Sequence, residues 1–162
     1  MAQVIVRPSR PDDVPAITAI YAVHVREGFG SFEIQPPGAG EVARRRQAVA
    51  EWEGAVIGYS YASAYRPRPA YGNAVENSVY VAADGQRRGV GRALLAALIE
   101  ACAAAGKRQM VAVIGDSANR ASIELHRALG FRDVGTLKDI GYKQGRWLDS
   151  VLMQRPLGAG SK

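Results

Sequence analysis

Hydrophobic positions along the chain change period several times, and these changes predict helices and strands in alternation. Helical spacing occurs in four segments, which are residues 17–24, 41–50, 94–105 and 119–129. Alternating or continuous apolar runs predict strands at residues 4–7, 55–65, 75–81, 110–114, 131–137 and 147–154. Glycine and proline separate these elements, most clearly in the loop of residues 28–40 and at the turn Glu53-Gly54. The pattern therefore predicts a mixed α/β fold.

The length of the chain fits one domain of this kind. Its 162 residues, 48% of them hydrophobic, can bury one sizeable core. Neither an internal repeat nor a linker to a second domain interrupts the pattern. We expect a single domain over residues 1–157, and a flexible tail over residues 158–162, which read Gly-Ala-Gly-Ser-Lys.

A basic glycine loop stands between the strand of residues 75–81 and the helix that follows it. The loop reads Gln86-Arg87-Arg88-Gly89-Val90-Gly91, and Arg92 comes next. The two glycines carry no Cβ and let a ligand come close to the backbone. The loop leads into a helix N-terminus, where free N–H groups and the positive dipole end favour a phosphate. It lacks the lysine of a P-loop and the three-glycine spacing of dinucleotide folds, and it predicts an anion site.

The remaining positive charge does not indicate nucleic acid. The net charge is +6, but the cations are scattered, and no basic tail, zinc-ligand pattern or aromatic RNA-binding signature accompanies them. No apolar run approaches the roughly 20 residues that span a bilayer. Residues 1–7 alternate like a strand and do not resemble a signal peptide. The single cysteine, Cys102, suits a reducing compartment, so we expect a cytoplasmic protein with no nucleic-acid or membrane partner.

Two motifs resemble those of the GNAT-type N-acetyltransferase superfamily. The loop of residues 86–91 is similar to that superfamily's pyrophosphate cradle for acetyl-CoA. Residues 119–131 read Asn-Arg-Ala-Ser-Ile-Glu-Leu-His-Arg-Ala-Leu-Gly-Phe, which is similar to the signature Asn-x-x-(Ala/Ser)-x-x-Leu-(Tyr)-x-x-x-Gly-(Phe/Tyr). Each motif falls in the element where the superfamily carries it.

The resemblance implies the GNAT fold, a central, mostly antiparallel, twisted sheet with a splayed parallel strand pair and helices on both faces. It implies acetyl-CoA as the cosubstrate and no metal. The pantetheine arm is expected to run between residues 79–81 and 110–114, with a hydrogen bond from Asn119. The residues implied in cofactor binding are Val79, Tyr80, Val81, Arg87, Arg88, Gly89, Val90, Gly91, Arg92, Asn119 and Ser122.

Within the superfamily, the chain is more similar to phosphinothricin N-acetyltransferases and to relatives that act on methionine sulfoximine and methionine sulfone. The strings that carry this similarity lie at residues 31–33, 68–71, 75–81, 111–115, 125–131 and 141–147. The similarity implies acetyl transfer to the α-amine of a small glutamate- or methionine-like amino acid analogue. It also implies a homodimer, with an interface near the last strand. Residues 72–74 lack an aromatic residue that these enzymes often carry, so the similarity does not single out phosphinothricin.

Glu76 is the candidate base. The amine must be neutral to attack a thioester, and an α-ammonium in a model peptide titrates near pH ~8. Alternate residues of a strand share a face, which places Glu76 with Ser78 and Tyr80, opposite the face of Val75 and Asn77. Burying a carboxylate inside a strand is energetically unfavourable unless it has a catalytic role or an interaction partner. An ion pair with an arginine is the alternative, and the family's Val-Glu string favours catalysis, directly or through a water.

His126 is the second candidate catalytic residue. The superfamily more often has a tyrosine here, as the acid for the departing thiolate, and the phosphinothricin-type subset shares the histidine. Helical spacing places Asn119, Ser122 and His126 on one stripe that can line the cofactor. A second stripe, apolar and directed to the core, consists of Ala121, Leu125 and Ala128. Histidine titrates near neutrality and suits an acid or a base, and a structural, hydrogen-bonded histidine is the alternative.

Four residues are candidates for binding the amine substrate. Arg66 and Arg68 stand in a proline-stiffened segment just before Tyr71, and guanidinium groups bind carboxylate or phosphinate oxygens in a bidentate fork. Phe32, in the first Gly-rich loop, can form an apolar wall beside them. Solvated surface is the alternative for the arginines, and only the family resemblance favours substrate binding, for Arg68 above Arg66.

Two other functions stay open at this point. One is a GNAT enzyme that acetylates another amine, such as a protein N-terminus or an aminoglycoside. An aminoglycoside would require an acidic pocket, which this basic chain does not suggest. The other is a module that binds acyl-CoA, or RNA, without catalysis. The presence of both Glu76 and His126 argues against an inert acyl-CoA binder, and the scattered arginines argue against RNA.

Overall fold

The predicted elements form one sheet with helices on both of its faces in the computed structural model, which describes residues 3–162. Residues 1 and 2, part of the first predicted alternating stretch, lie outside the described residues. The helices are α1 (Val14–Glu27), α2 (Ala39–Arg44), α3 (Val90–Ala104) and α4 (Arg120–Ala128). The strands are β1 (Ile5–Pro8), β2 (Ala48–Trp52), β3 (Ala55–Ala64), β4 (Ala74–Val81), β5 (Gln109–Gly115), β6 (Arg132–Lys143) and β7 (Arg146–Pro156). Within this described part, no helix has the length and apolar character needed to cross a membrane.

The sheet is antiparallel except at its centre. Its strand order is β1-β2-β3-β4-β5-β7-β6, and only the β4–β5 pair runs parallel. The register of that pair begins at Ala74 opposite Gln109 and reaches Glu76 opposite Val111. The second half of β4 then separates from β5, which opens a cleft in the middle of the sheet. The predicted splayed parallel pair is confirmed.

Apolar layers on the two faces of the sheet hold the helices in place. Alternate strand residues point to opposite faces, so each strand contributes to both layers. The layer beneath α1 is built from Ile17, Tyr21, Val25, Val49 and Tyr59. The layer beneath α3 is built from Leu95, Leu98, Ile99, Met110 and Met153. Both layers continue to the edges of the cleft and fix the strands that form its walls.

The predicted helix over residues 41–50 is wrong beyond Arg44. The chain leaves α2 there, and Ala48–Trp52 form a strand between β1 and β3. Val49 lies in the α1 layer, and Ala50 packs on the other face in a cluster with Val90 and Leu94 of α3, so both faces of this strand are buried. A short apolar run that is buried on both sides carries no alternation, and its sequence does not distinguish it from a helix.

The C-terminal residues follow β7 into a turn. Leu157 is buried, and its backbone N–H donates to the Arg108 carbonyl at 2.9 Å. The Arg108 guanidinium donates to the carbonyls of Gly160 and Lys162. The flexibility of residues 158–162 stays a prediction.

Candidate active site

The cleft between β4 and β5 forms part of a cavity of about 970 Å³, called here the central cavity. Its walls come from α1, the loop of residues 30–33, both central strands, the basic glycine loop and the start of α4. The predicted site residues that line it are Phe32, Glu76, Val79, Tyr80, Val81, Arg87, Gly89, Val90, Gly91, Arg92, Asn119, Ser122 and His126. Four predicted site residues do not line it, namely Arg66, Arg68, Tyr71 and Arg88.

The basic glycine loop closes one end of the central cavity. Arg87 and Gly89 both adopt positive φ angles, 60° and 75°, and Gly89 is the residue at which the chain turns into α3. A Cβ on Gly89 would meet no atom within 4 Å, so the space beside the backbone is open. No side chain caps this N-terminus of α3, and its first N–H groups remain donors. Together with Arg87 and Arg92, these groups suit an anion.

Arg88 points away from this end of the cavity. Its guanidinium lies 4.1 Å from the centroid of the Trp52 ring, and its Nε donates to the Asp84 carbonyl at 2.8 Å. The stacking and the hydrogen bond hold the side chain on the outside of the loop. The sequence does not predict this difference. Which of Arg87, Arg88 and Arg92 faces the cavity depends on the conformation of the turn.

Asn119 connects the cavity wall to the start of α4. Its Oδ1 accepts from the Ser122 backbone N–H at 3.3 Å and caps the helix. The Nδ2 group of the same side chain stays available as a donor. Of the predicted apolar stripe on α4, only Leu125 is partly buried, whereas Ala121 and Ala128 are exposed. The prediction is wrong for those two alanines, because Ile123, Leu125 and Leu129 form the face that packs on the core.

His126 is buried in the wall of the cavity, with both ring nitrogens engaged. Nδ1 lies 2.7 Å from the Ser122 carbonyl oxygen, and Nε2 lies 3.0 Å from Oδ1 of Asn77. The ring also meets the Phe131 ring edge to face, with centroids 5.0 Å apart. Burial lowers the pKa of His126, and the hydrogen bond to Ser122 opposes that shift.

Asn77 was not predicted as a site residue. It is buried on the same face of β4 as Val75, and its Nδ2 donates to the Val111 carbonyl at 3.2 Å. This hydrogen bond spans β4 and β5 just where their backbone pairing ends. The sequence did contain a signal, since a carboxamide stands among valines on this face of the strand.

Glu76 lies half-buried on the opposite face of β4, as the alternation predicted. Burial raises the pKa of Glu76, and the positive charge of Arg66 partly offsets that rise. A carboxylate with a raised pKa is a stronger base than an exposed one, and perturbed groups of this kind are typical of catalytic sites. Among residues 3–162 no salt bridge joins Glu76 to a basic side chain, although the charge of Arg66 acts on it, and the catalytic role of Glu76 stays a prediction.

The other end of the cavity is shaped by Phe32. Its ring packs directly against two glycines, and a side chain at either position would collide with it. A Cβ on Gly141 would lie 2.5 Å from Cε2 of the ring, and a Cβ on Gly115 would lie 2.8 Å from Cε1. The neighbouring Ser31 fixes the loop, with Oγ 2.8 Å from the Tyr21 hydroxyl and its carbonyl accepting from Lys143 Nζ at 2.6 Å. The predicted apolar wall is therefore held by several contacts.

The cations near this end differ from those that were predicted. Arg45 lines the cavity and donates from Nη1 to Glu33 Oε1 at 2.6 Å, and it was not among the predicted site residues. Arg66 is exposed and lies 5.2 Å from the centroid of the Tyr65 ring. Arg68 and Tyr71 are exposed as well. Arg66 remains near enough to Glu76 for its charge to affect that carboxyl.

Comparison with known proteins identifies close relatives of the whole chain. The sequence model of the acetyltransferase (GNAT) family matches residues 17–131. A phosphinothricin N-acetyltransferase from Alcaligenes faecalis is 52% identical over 164 residues, which cover 96% of this chain and 83% of that protein. An L-methionine sulfoximine/L-methionine sulfone acetyltransferase from Pseudomonas paraeruginosa is 40% identical over 152 residues, 88% of each chain. The crystal structure of a GNAT superfamily phosphinothricin acetyltransferase from Sinorhizobium meliloti, in complex with acetyl-CoA, superposes with a TM-score of 0.93 at 45% identity, covering 98% of this chain and 91% of that one.

Proposed function

The chain belongs to the GNAT acetyltransferase family, and on that premise we propose that it acetylates the α-amine of a small glutamate- or methionine-like amino acid analogue. Phosphinothricin, methionine sulfoximine and methionine sulfone are the members of this class named for its relatives. The acetyl donor is acetyl-CoA. The observation that carries the proposal is the central cavity, which joins an anion-binding loop to a half-buried carboxylate of raised pKa.

The two ends of the cavity are proposed to bind different reactants. The pyrophosphate of acetyl-CoA is placed at the N-terminus of α3, with Arg87 and Arg92 beside it, and the pantetheine arm lies in the cleft near Asn119. Glu76 removes a proton from the α-ammonium, directly or through a water. The neutral amine attacks the thioester carbonyl, the nitrogen of the tetrahedral adduct gives up its second proton to solvent, and the C–S bond then breaks with its electron pair on sulfur. His126 either assists the deprotonation or serves the departing thiolate as an acid.

The amine substrate is placed between Glu76 and the Phe32 wall. Arg66, whose charge acts on Glu76, and Arg68 are proposed to receive its carboxylate or phosphinate oxygens, with Tyr71 beside them. Their exposure leaves them free to turn toward a bound anion. This arrangement favours a small anionic amino acid over an aminoglycoside, which carries several cations.

An amine panel tests the function directly. Purified protein and acetyl-CoA are mixed with phosphinothricin, methionine sulfoximine, methionine sulfone, glutamate, a peptide with an N-terminal alanine, or an aminoglycoside, and the free thiol is followed. We expect the highest kcat/KM among the first three amines. A higher kcat/KM with the peptide or the aminoglycoside would contradict the proposed substrate class, and no thiol release with any amine would contradict catalysis.

The Gly141→Ala substitution is expected to raise the KM of the amine severalfold and to leave the affinity for acetyl-CoA unchanged. The new Cβ would lie 2.5 Å from a carbon of the Phe32 ring, so the ring must move away from its position beside residue 141. Steady-state kinetics with the best amine measures the effect. Gly135→Ala is the matched control, because it lies on the same strand and its Cβ would meet no atom within 4 Å. An unchanged amine KM in Gly141→Ala would remove Phe32 from the substrate pocket.

We also propose that the enzyme is a homodimer formed through β6. This strand lies at one edge of the sheet and is 12 residues long. Exposed apolar side chains on it and on the start of β7 form a surface of Val134, Leu137, Ile140, Tyr142 and Trp147. A long, apolar edge strand with unpaired backbone groups is a site of association, and a second copy offers the same edge.

Light scattering tests the dimer at micromolar concentration. We expect twice the mass of one chain for the parent and one chain for Ile140→Lys, because the lysine places a charge in the apolar surface. Ile5→Lys is the matched control, since Ile5 is 57% exposed and Ile140 is 59% exposed, but Ile5 lies on β1 at the opposite edge. A monomeric parent would contradict the proposal, and a dimeric Ile140→Lys would place the interface elsewhere.

A further inference from the structure

We propose that His24 is a positioning residue for the pantetheine arm of acetyl-CoA. Its ring holds the Val81 carbonyl at the open end of β4 and leaves the Val81 N–H for the cofactor. His24 lines the central cavity, and the proposed reaction gives it no other role. This role rests on the proposed function, in which the arm lies in the cleft, and it is independent of which amine is acetylated.

The pairing of β4 with β3 determines which backbone groups of β4 face the cleft. The register of this antiparallel pair has no shift, and just beyond its end the Ala82 N–H donates to the Ile57 carbonyl at 2.9 Å. In such a pair, every second residue directs its N–H and C=O toward the partner strand, and the residues between direct theirs away. Ala82 is directed toward β3. The backbone groups of Val79 and Val81 therefore point away from β3, into the cleft.

His24 supplies a donor that β5 does not supply at this point. The parallel register of β4 and β5 ends at Glu76 opposite Val111, before Val79 and Val81. The His24 Nε2 lies 2.8 Å from the Val81 carbonyl oxygen. A carbonyl only accepts, so Nε2 carries the hydrogen of this bond. The contact is compatible with either charge state of the ring, since Nε2 bears a hydrogen in imidazolium and in one neutral tautomer.

The position of the His24 ring is fixed by α1 and by an aromatic neighbour. Helical spacing continues the buried stripe that contains Ile17 and Tyr21 to His24. The ring lies beside the Tyr80 ring, with centroids 5.2 Å apart, and Tyr80 itself packs on Tyr21 with centroids 4.8 Å apart. The imidazole therefore reaches the end of β4 from the α1 side of the sheet, with little freedom to turn.

This contact decides which backbone groups remain for a ligand. The Val81 N–H and both backbone groups of Val79 stay directed into the cleft, whereas the Val81 carbonyl already has a donor. The pantetheine arm has two secondary amides, each with one donor and one acceptor, which complement the remaining groups. An arm in the cleft also covers the Val81 carbonyl, and without His24 that acceptor would be left unpaired in the complex, which is unfavourable.

Isothermal titration calorimetry with acetyl-CoA tests the proposal in three variants of His24. Phenylalanine keeps a ring and removes the donor. Glutamine and asparagine carry the same carboxamide, but only the glutamine Nε2 lies as many bonds from Cα as the histidine Nε2 does. We expect the Kd to rise at least about fivefold in His24→Phe and His24→Asn, and to stay within about twofold of the parent in His24→Gln.

Rescue by glutamine alone identifies the hydrogen bond, because loosened packing would weaken binding in all three variants. Parent-like binding by His24→Phe and His24→Asn, or an equal loss in His24→Gln, would overturn the proposal. If His24→Phe does not fold, the glutamine and asparagine variants carry the test as a pair. The titration contains no amine, so a parent that binds acetyl-CoA and acetylates none of the amines would contradict the proposed function and leave this result intact.

The nucleotide half of coenzyme A, prepared without the pantetheine arm, separates the cleft from the basic glycine loop. Its affinity is measured by competition with acetyl-CoA. We expect the parent and His24→Phe to bind this nucleotide equally well, because His24 acts on the part of β4 that faces the arm. A loss of nucleotide affinity as large as the loss for acetyl-CoA would assign the effect to the loop of residues 86–91 and would overturn the role of His24 toward the arm.

Discussion

Replacing Glu76 by glutamine is expected to lower turnover at least about tenfold, with the affinity for acetyl-CoA nearly unchanged. Glutamine keeps the shape of the side chain and removes its basicity, so the α-ammonium loses its proton acceptor. The loss is confined to the chemical step, because Glu76 lies on the face of β4 opposite the contacts of α4 with the cleft. Steady-state kinetics with the best amine of the panel, and titration with acetyl-CoA, measure the two effects separately.

The pH profile gives this prediction a second readout. Burial raises the pKa of Glu76, so the parent should lose activity as the pH falls through that raised value, and Glu76→Gln should lack this limb. The same shift means that ionisation of Glu76 weakens the folded state above the carboxyl's ordinary pKa. The glutamine variant is therefore expected to be at least as stable as the parent at neutral pH. Glu124→Gln, an exposed change on α4, is the control. Equal turnover in parent and Glu76→Gln would remove Glu76 from the mechanism.

The central elements of the fold were predictable because their patterns are long or carry a motif. α3 has a continuous apolar stripe through Leu95, Leu98, Ile99 and Cys102, and β4 carries valines at 75, 79 and 81 on one face. β2 was not predictable in the same way, because Ala48, Val49 and Ala50 are short, apolar and buried from both sides. Their assignment as a strand depends on β1 and β3, which flank them and are distant in sequence.

The position of a site residue was predictable where the spacing within one strand or helix determines it. It was not predictable where contacts between distant elements determine it. The alternation of β4 placed Glu76, and the helical spacing of α4 placed His126, so both were found. The Arg88 guanidinium stacks on the Trp52 ring, and the Arg45 guanidinium donates to the Glu33 carboxylate. Neither contact follows from the local sequence. Asn77 was overlooked because its side chain contacts residues that are distant in sequence. These are His126, 49 residues away, and the carbonyl of Val111.

Gly89→Val is expected to lower the affinity for acetyl-CoA at least about tenfold, and by more than Arg88→Ala does. Gly89 has a φ of 75°, where a β-branched residue is strained by about 1–2 kcal/mol or more. The valine side chain would also fill the open space through which the pyrophosphate is expected to approach the N–H groups of α3. Arg88→Ala removes only a side chain that stacks on Trp52, outside the cavity. Isothermal titration calorimetry with acetyl-CoA measures both variants.

Gly54→Val separates obstruction of the ligand from strain in the backbone. Gly54 has a φ of 81°, its Cβ would also meet no atom within 4 Å, and it lies in the turn between β2 and β3, away from the central cavity. Its valine variant should therefore lose stability to the same degree as Gly89→Val and bind acetyl-CoA as the parent does. Equal loss of affinity in both variants would assign the effect to a weakened fold. Parent-like binding by Gly89→Val would show that the loop of residues 86–91 does not hold the pyrophosphate, and the phosphate groups would then have to contact another part of the cavity wall.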